Sequence, residues 1–486
     1  MMGDSKKIVI IGGGITGLSA AFYLDKLAEV SGTKHQITVL EQSDQLGGKI
    51  QTIRKDGFVI EKGPDSFLSR KLPAYELAKE LGIEGELVGT NPAAKKTYIL
   101  HKGRFHRMPQ GLNLGIPTEI SPFATTGLIS PAGKLRALMD IVLPKKQEDK
   151  DESLGHFLHR RLGKEVLERV AEPLLAGIYA GDTYKLSLKA TFPQFRQMEQ
   201  RHRSLILGMK ASMAKAGQTE NLPDIVKQSR FLSFRNGLQT LVDHLVADLQ
   251  KNDIQLLTKT KVQSVTHAGP SPDGVKKSPF QVILDGGESI PADSIILALP
   301  TKAISNLLSS TFPMAEELEK IQYVSVANVI MTFNREDIQH SLDGSGFVVP
   351  RKEKTSITAC TWTSSKWGHT APDGKVVIRC YVGRSGDEEI AAEDDDVIIA
   401  RVQKDLENLM GIKATPLFYA VNRWPNSMPQ YPVGHLELVE KVRKELSAYM
   451  PGVYMVGAGF GGVGVPDCIR QGKGAAQQAY AHLLKA

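Results

Sequence analysis

The segment from Lys6 to Leu24, KKIVIIGGGITGLSAAFYL, constrains this chain more than any other. It places a short apolar strand (Ile8–Ile11), a glycine turn and an apolar helix in direct succession. Gly12, Gly14 and Gly17 give G-x-G-x-x-G immediately after the strand. The first glycine permits a tight turn, the second lets a pyrophosphate approach the backbone, and the third lets the helix pack closely on the strand. The free N–H groups of the helix start, Gly13 to Thr16 among them, then point at phosphate. A second strand, Gln36–Leu40, ends at Glu41-Gln42, at about the twenty-residue distance where a carboxylate meets ribose hydroxyls. A glycine triplet alone is a weak signal. Strand before, helix after and acid at the next strand end make a bound dinucleotide the preferred reading. The alternative is a glycine turn that merely closes a βαβ unit.

The far end of the chain carries a similar pattern. Val453–Val456 reads as a strand, followed by Gly457-Ala458-Gly459-Phe460-Gly461-Gly462 and a helix to Leu484. Read alone, this suggests a second, nicotinamide site. The short remainder after Gly462 argues against it, because it reads as one helix and leaves no second strand and no ribose acid. Either the run is a tight strand-to-helix turn, or its helix start faces the pyrophosphate and isoalloxazine of a flavin bound by the first unit. The second reading favours FAD over NAD. Without a second dinucleotide site, NAD(P)H is not the expected electron partner, and oxygen, a quinone or another acceptor would reoxidise the flavin.

Between the two ends, Gly47-Gly48-Lys49 forms a second glycine turn, Phe58–Glu61 a strand, Gly63-Pro64-Asp65-Ser66 the loop ending it, and Pro73–Leu81 a helix. Residues 110–205 are rich in helix signals, with apolar residues at helical spacing over Ser153–Leu158 and Val166–Leu175. The charge run 145–152, KKQEDKDE, reads as a solvated connection and residues 211–230 as a loop. Residues 256–300 and 321–385 alternate like strands, with a hairpin turn at Gly286-Gly287. Asp396–Met410 reads as a helix. The pattern predicts a nucleotide domain interrupted by a mostly antiparallel sheet and a helical region.

With 486 residues, 41% of them hydrophobic and 23% charged, the composition is that of a globular protein of two or three domains. No apolar run approaches the roughly 18 residues that span a bilayer, and no secretory signal is read ahead of Ile8. Cys360, Cys380 and Cys468 are scattered, without metal-like spacing or a disulfide framework, so a reducing cytoplasm is the expected compartment. The net charge of +7 suits an acidic substrate or an anionic membrane surface, or is ordinary solubility charge. Nucleic acid is not expected, since no basic run is interleaved with aromatics. No metal site is expected either.

Gly12–Gly17, Glu41, Gly47-Gly48-Lys49, Gly63–Ser66 and the ending GAGFGGVGVPDCIRQGKGAA resemble the flavin amine oxidase superfamily. EPLLAGIYAGD (172–182), RHRSLILGMK (201–210) and RWPNSMPQYPVGH (423–435) narrow the resemblance to the protoporphyrinogen and coproporphyrinogen oxidases of haem synthesis. It covers nearly the whole chain and is nearest to the Gram-positive enzymes that make coproporphyrin III. The resemblance implies an α/β fold. A Rossmann-like FAD domain is built from discontinuous segments (1–75, 228–305 and 430–486). A mixed antiparallel β-sheet forms the substrate domain (76–110, 205–227 and 306–429), and a helical domain is inserted (111–204), which some members use for peripheral membrane contact. It also implies FAD-dependent, six-electron oxidation of a porphyrinogen by molecular oxygen, with hydrogen peroxide formed, beside neighbouring haem-pathway enzymes. Protoporphyrinogen oxidation, an amine oxidase or desaturase on the same scaffold, and a flavin- or haem-binding chaperone are the alternatives.

In such an enzyme the flavin carries the hard chemistry, and the protein supplies binding, orientation and electrostatics. The four propionates of coproporphyrinogen call for cations. Lys71 is the first candidate, against simple solvation at a helix start; Arg70 is a weaker one. Arg201, Arg203 and Lys210 add positive field or are surface charges. Gly177 and Ile178, within LLAGIY, either face the macrocycle or pack as ordinary helix, and Tyr179 shares that choice. Carried over for the cofactor are Gly12, Gly13, Gly14, Ile15, Thr16, Gly17, Glu41, Gln42, Gly48 and Lys49, then the Gly63, Pro64, Asp65 and Ser66 backbone at the isoalloxazine. Val262 is expected at the adenine, Trp424 beside the flavin or in the core, and Val463, Gly464 and Val465 at the pyrimidine end.

Overall fold

The computed structural model describes residues 5–216, 222–268 and 278–485. The opening strand, Lys7–Ile11, has Ile8, Val9 and Ile10 at most 1% exposed. A strand apolar on both faces needs neighbours on both edges and cover on both faces, and it has both. Five parallel strands run in the order 255–257, 36–40, 7–11, 294–297, 453–455. Ile10 lies level with Val39 on one side and Ile296 on the other. Helices Ile15–Val30, Gln239–Lys251 and Val465–Leu483 cover one face, where Leu18, Phe22, Leu245 and Ile469 close over Ile8 and Ile10. On the other face Val9, Ile11 and Leu297 meet Leu307, Val442 and the small antiparallel sheet 262–267, 280–284, 289–292. The parallel sheet is thus assembled from chain segments far apart in sequence, as in a Rossmann-like fold.

The two chain ends meet in the contact between helices 15–30 and 465–483. A Cβ on Gly472 would stand 2.4 Å from the Thr16 carbonyl oxygen, so only a glycine lets the helices approach this closely. Gly474, two residues on in the same helix, has no such neighbour.

A second sheet has seven strands in the order 418–429, 323–334, 375–382, 359–362, 346–348, 97–101, 104–107. Its pairings are antiparallel except 346–348 with 97–101. Helix Asp395–Met410 covers one face through Ile398, Val402 and Leu406. The helical layer has its own core, in which Phe157, Leu162, Val170, Phe195 and Ile206 meet. Its charges are buried in pairs: Arg161 and Asp140 are both 0% exposed and 2.5 Å apart.

Packing moves three of the expected domain limits. Leu77, Ile83 and Leu87 join the nucleotide-side core, not the substrate sheet. Leu307, Phe312 and Leu318 also pack under the parallel sheet. Leu205, Ile206 and Met209 belong with the helical layer. In each case local apolar spacing is the same whichever neighbour covers it, so sequence pattern does not choose the partner. The loop expected over 211–230 is also corrected. Helix Leu205–Ala216 continues into it and Asp224–Gln228 is helical, while 217–221 lie outside the described residues. The helical stretch from Lys164 to Tyr179 widens to a π turn over Leu167–Ala171.

Glu61 closes the hairpin 52–61 onto the nucleotide domain. Its carboxyl accepts the Leu238 N–H at 2.6 Å and the Thr52 hydroxyl at 2.8 Å. Burial raises its pKa to about 7, a shift these hydrogen bonds and Arg379 only partly oppose.

Two stability predictions follow from this packing. Gly472→Ala is expected to lose roughly 1–3 kcal/mol in urea denaturation by overpacking, while Gly474→Ala gains up to about 1 kcal/mol from helix propensity. The native state also holds the Glu61 proton more tightly than the unfolded chain, so stability from this group is greatest below pH 4.5 and is lost as pH rises through about 7. Between pH 5 and 8 the wild type is expected to lose roughly 2–3 kcal/mol that Glu61→Gln does not lose. Urea midpoints of both proteins at the two pH values measure the difference, and equal pH slopes would refute it.

Candidate functional site

The site is built where the two glycine turns and the C-terminal helix converge. Gly12 has φ +110°, and its N–H donates to Leu40 at 2.8 Å. A Cβ there would lie 2.4 Å from the Ala298 oxygen, and one on Gly17 would lie 1.9 Å from the Gly12 oxygen. These two glycines therefore serve the turn and the helix packing. Gly14 is different: the nearest atom to a Cβ is the Gly48 Cα at 4.0 Å, so its outer side is open. The helix that follows starts with no side-chain cap and no acidic residue in its first turn. Its N-terminal N–H groups are thus left for an anion. This is the division of labour that a pyrophosphate cradle requires, and the residues fit such a group. Ile15 and Thr16 are buried, which leaves their backbone N–H groups as what they could offer such a group.

Glu41 stands at the predicted place, at the end of strand Gln36–Leu40. One oxygen accepts the Gly13 N–H at 2.8 Å and the other the Ser43 N–H at 2.9 Å. Gln42 beside it is exposed. Val262 begins the strand 262–267 close by, since the Thr260 N–H donates to the Glu41 carbonyl at 2.8 Å. The second glycine turn docks on the first: the Gly47 N–H donates to Gly13 at 2.8 Å, and Gly14 and Gly47 form a parallel bridge. Gly48 has φ +61° and faces Gly14, and Lys49 donates from its ammonium to the Ser427 carbonyl.

The Gly63–Ser66 loop passes so close to this turn that a Cβ on Gly63 would lie 1.8 Å from the Lys49 oxygen. Trp424 is placed beside the loop, its indole N–H bonded to the Lys62 carbonyl at 2.9 Å, which also accepts from Asn328 at 2.8 Å. Pro64 is half-buried. Asp65 accepts the Ser66 hydroxyl at 2.7 Å and pairs with Lys366 at 3.1 Å. Burial works against its charge, but Lys366, Arg379 and the Ser66 hydroxyl together hold its carboxyl well below the usual carboxylate range.

The C-terminal helix runs over Val465–Leu483. The Gly457–Gly462 run forms a separate short helical turn, Ala458–Gly461, before that helix begins. Val463 leans on the helical layer and Val465 on the nucleotide core, with Gly464 between them as N-cap. The Gly462 N–H donates to the Tyr431 hydroxyl at 3.0 Å, which in turn donates to the Ala458 carbonyl. Tyr431 stacks on His435 at 4.2 Å, and burial lowers the His435 pKa to about 4, so that imidazole is neutral.

Lys71 reaches this corner. Its ammonium lies 2.6 Å from Asp467 Oδ2, and Arg470 lies 3.3 Å from Oδ1. Two cations thus share one nearly buried carboxylate, and their own side chains are 47% and 60% exposed. Gly177 and Ile178 sit on the last turn of helix Glu172–Tyr179. No atom lies within 4 Å of a Cβ on Gly177, and Ile178 is 44% exposed, so both present an open face. Tyr179 is buried edge-to-face on Tyr431 at 5.5 Å, which ties that helix to the C-terminal glycine turn. Arg70, Arg201, Arg203 and Lys210 are exposed, and Arg203 belongs to the helical layer, where Arg161 caps its carbonyl at 2.6 Å. The sequence reading missed Asp467, Tyr431, Arg379 and Lys366. Asp467 and Tyr431 stand inside segments it quoted, but neither carries a spacing signal of its own.

Comparison with known proteins places the chain in a family. The model of the flavin containing amine oxidoreductases matches residues 15–479. Coproporphyrinogen III oxidase of Bacillus subtilis (strain 168) is 47% identical over 484 residues, covering 99% of this chain and 100% of that one. The Staphylococcus aureus enzyme of the same name is 39% identical, with 99% and 100% covered. A crystal structure from Exiguobacterium sp. 255-15 superposes with a TM-score of 0.85 at 34% identity, covering 100% of both chains. Matched from end to end in sequence and in fold, the chain belongs to the flavin-containing amine oxidoreductases, in the branch of the coproporphyrinogen III oxidases.

Proposed function

We propose that this protein oxidises coproporphyrinogen III to coproporphyrin III with bound FAD and molecular oxygen, releasing hydrogen peroxide. The observation that carries the reading is the corner where Lys71 and Arg470 flank Asp467, linked to the open helix end of Gly177 and Ile178 through Tyr179, whose phenol is within reach of the Asp467 charge. It joins surplus positive charge to an apolar, unobstructed surface, which matches a macrocycle edged with propionates. The name of the Bacillus subtilis relative points the same way.

Bound FAD would supply hydride acceptance and its own reoxidation by oxygen. Gly12–Gly17 and the uncapped helix start would hold its pyrophosphate, and Glu41 would exchange its bond to the Gly13 N–H for a ribose hydroxyl. The Gly63–Ser66 backbone, Lys49 and Trp424 would border the ring system. The free N–H groups at Val463–Val465 would face its pyrimidine end, where they favour negative charge. Lys71 would hold a propionate as a point charge. Tyr179 and Tyr431 remain protonated, since burial pushes both phenols up, so neither is the base for the pyrrole proton. No helix among the described residues is long and apolar enough to cross a membrane. The three free cysteines suit the reducing cytoplasm proposed as its setting.

The test offers coproporphyrinogen III and protoporphyrinogen IX separately to the purified yellow protein, reading porphyrin fluorescence and oxygen uptake together. Faster turnover of coproporphyrinogen, with peroxide formed, is expected. A rate no greater than that of air alone would overturn the proposal. Lys71→Met is expected to raise KM for coproporphyrinogen about tenfold, a loss of ~1.4 kcal/mol, with kcat changed less than about twofold and a smaller KM effect on protoporphyrinogen.

A further inference from the structure

Strand Lys375–Val382 divides its side chains by parity. Val376, Ile378, Cys380 and Val382 enter the core beneath helix 395–410. Val377 turns the other way, to Phe58 and Ile60, and Arg379 follows it toward the Gly63–Ser66 loop. Arg379 is 4% exposed and donates through Nη2 to the Gly63 carbonyl. Its guanidinium lies 4.9 Å from the Tyr381 ring centre, and its buried Nε has no hydrogen-bond partner. The counter-charge on this side is Asp65, which is already paired with Lys366 at 3.1 Å. Glu61 is near, but its oxygens serve Leu238 and Thr52.

The loop therefore rests on two cations that share one carboxylate. A buried guanidinium with an unfilled donor is costly unless something compensates it. A stacked tyrosine ring offsets part of that cost. A reduced flavin, which carries negative charge, would offset more. Preorganised charge of this kind acts most strongly where water is excluded.

We infer that Arg379 is a positioning residue that fixes the Gly63 carbonyl and, by its buried charge, raises the reduction potential of the flavin seated on the Gly63–Ser66 loop. Lys366 is the second source of that charge. The inference rests on the flavin reading of the site given above.

The experiment is an equilibrium reduction of the flavin-loaded protein against reference dyes, followed by flavin absorbance, without porphyrinogen. Arg379→Gln keeps hydrogen-bond donors but removes the charge. At a fixed potential its ratio of reduced to oxidised flavin is expected to fall at least tenfold, about 30 mV for a two-electron couple. Arg379→Lys is expected to stay within about threefold of wild type. Lys366→Gln leaves the bond from Arg379 to Gly63 in place and is expected to lower the ratio about threefold, and it decides the matter if Arg379→Gln does not retain flavin. Wild-type ratios in the Gln variants that retain flavin, or an equal fall in Arg379→Lys and Arg379→Gln, would overturn the inference while leaving the flavin site standing. A wild-type protein that takes up no flavin would overturn both.

Discussion

The approach of helix 465–483 to helix 15–30 is the constraint on which the rest depends. Gly472 against the Thr16 carbonyl sets how near the two ends of the chain come. That distance sets where Val465 begins its helix relative to the uncapped start at Ile15. A cofactor long enough to run from one helix start to the other needs both at fixed separation. Side chains could be trimmed or lengthened to compensate elsewhere, but a carbonyl facing a Cα leaves no such freedom.

Paired charge is used in two different ways in this molecule. In the helical layer it is closed upon itself. Asp140 accepts from Arg161, from the Ser204 hydroxyl at 2.6 Å and from the Ile206 N–H at 2.9 Å, Glu199 takes Arg160 at 2.6 Å and Arg196 at 2.7 Å, and Glu152 lies 3.1 Å and 3.8 Å from the same two arginines, so that three carboxylates answer three guanidinium groups. Such a network specifies how helices meet and gives little net stability. Around the Gly63 loop and the Lys71 corner the charges are left in excess instead, with two cations to each carboxylate. An imbalance that would be a defect in a core becomes useful where an anionic ligand completes it.

Sequence alone showed much of the nucleotide unit. A strand, a turn and a helix in direct succession leave few packings, and steric need for Gly12 and Gly17 writes itself into residue choice. The hairpin at Gly286-Gly287 and the alternating strands of the large sheet were legible for a similar reason, since side-chain parity is local. Domain limits were not. Leu77, Leu205 and Leu307 carry the same apolar signal whichever core they enter, and only the fold shows which one. The partners of Lys71 and Asp65 were hidden in the same way: Asp467 and Lys366 lie hundreds of residues away in sequence, and an ion pair between distant segments has no period.

The position of Tyr431 shows how the parts act together. It is held by Gly462 on one side, by His435 beneath and by Tyr179 at its edge. Helix 172–179, the 423–435 segment and the C-terminal glycine turn therefore share one aromatic contact. A shift of the helix that bears Gly177 and Ile178 would move Tyr179, and through Tyr431 would disturb the N–H of Gly462. The open face of Gly177 and Ile178 and the backbone of the C-terminal glycine turn are thus mechanically one unit, although three separate stretches of chain supply it. Two of the three stretches that narrow the resemblance, 172–182 and 423–435, thus hold each other and the C-terminal glycine turn in register.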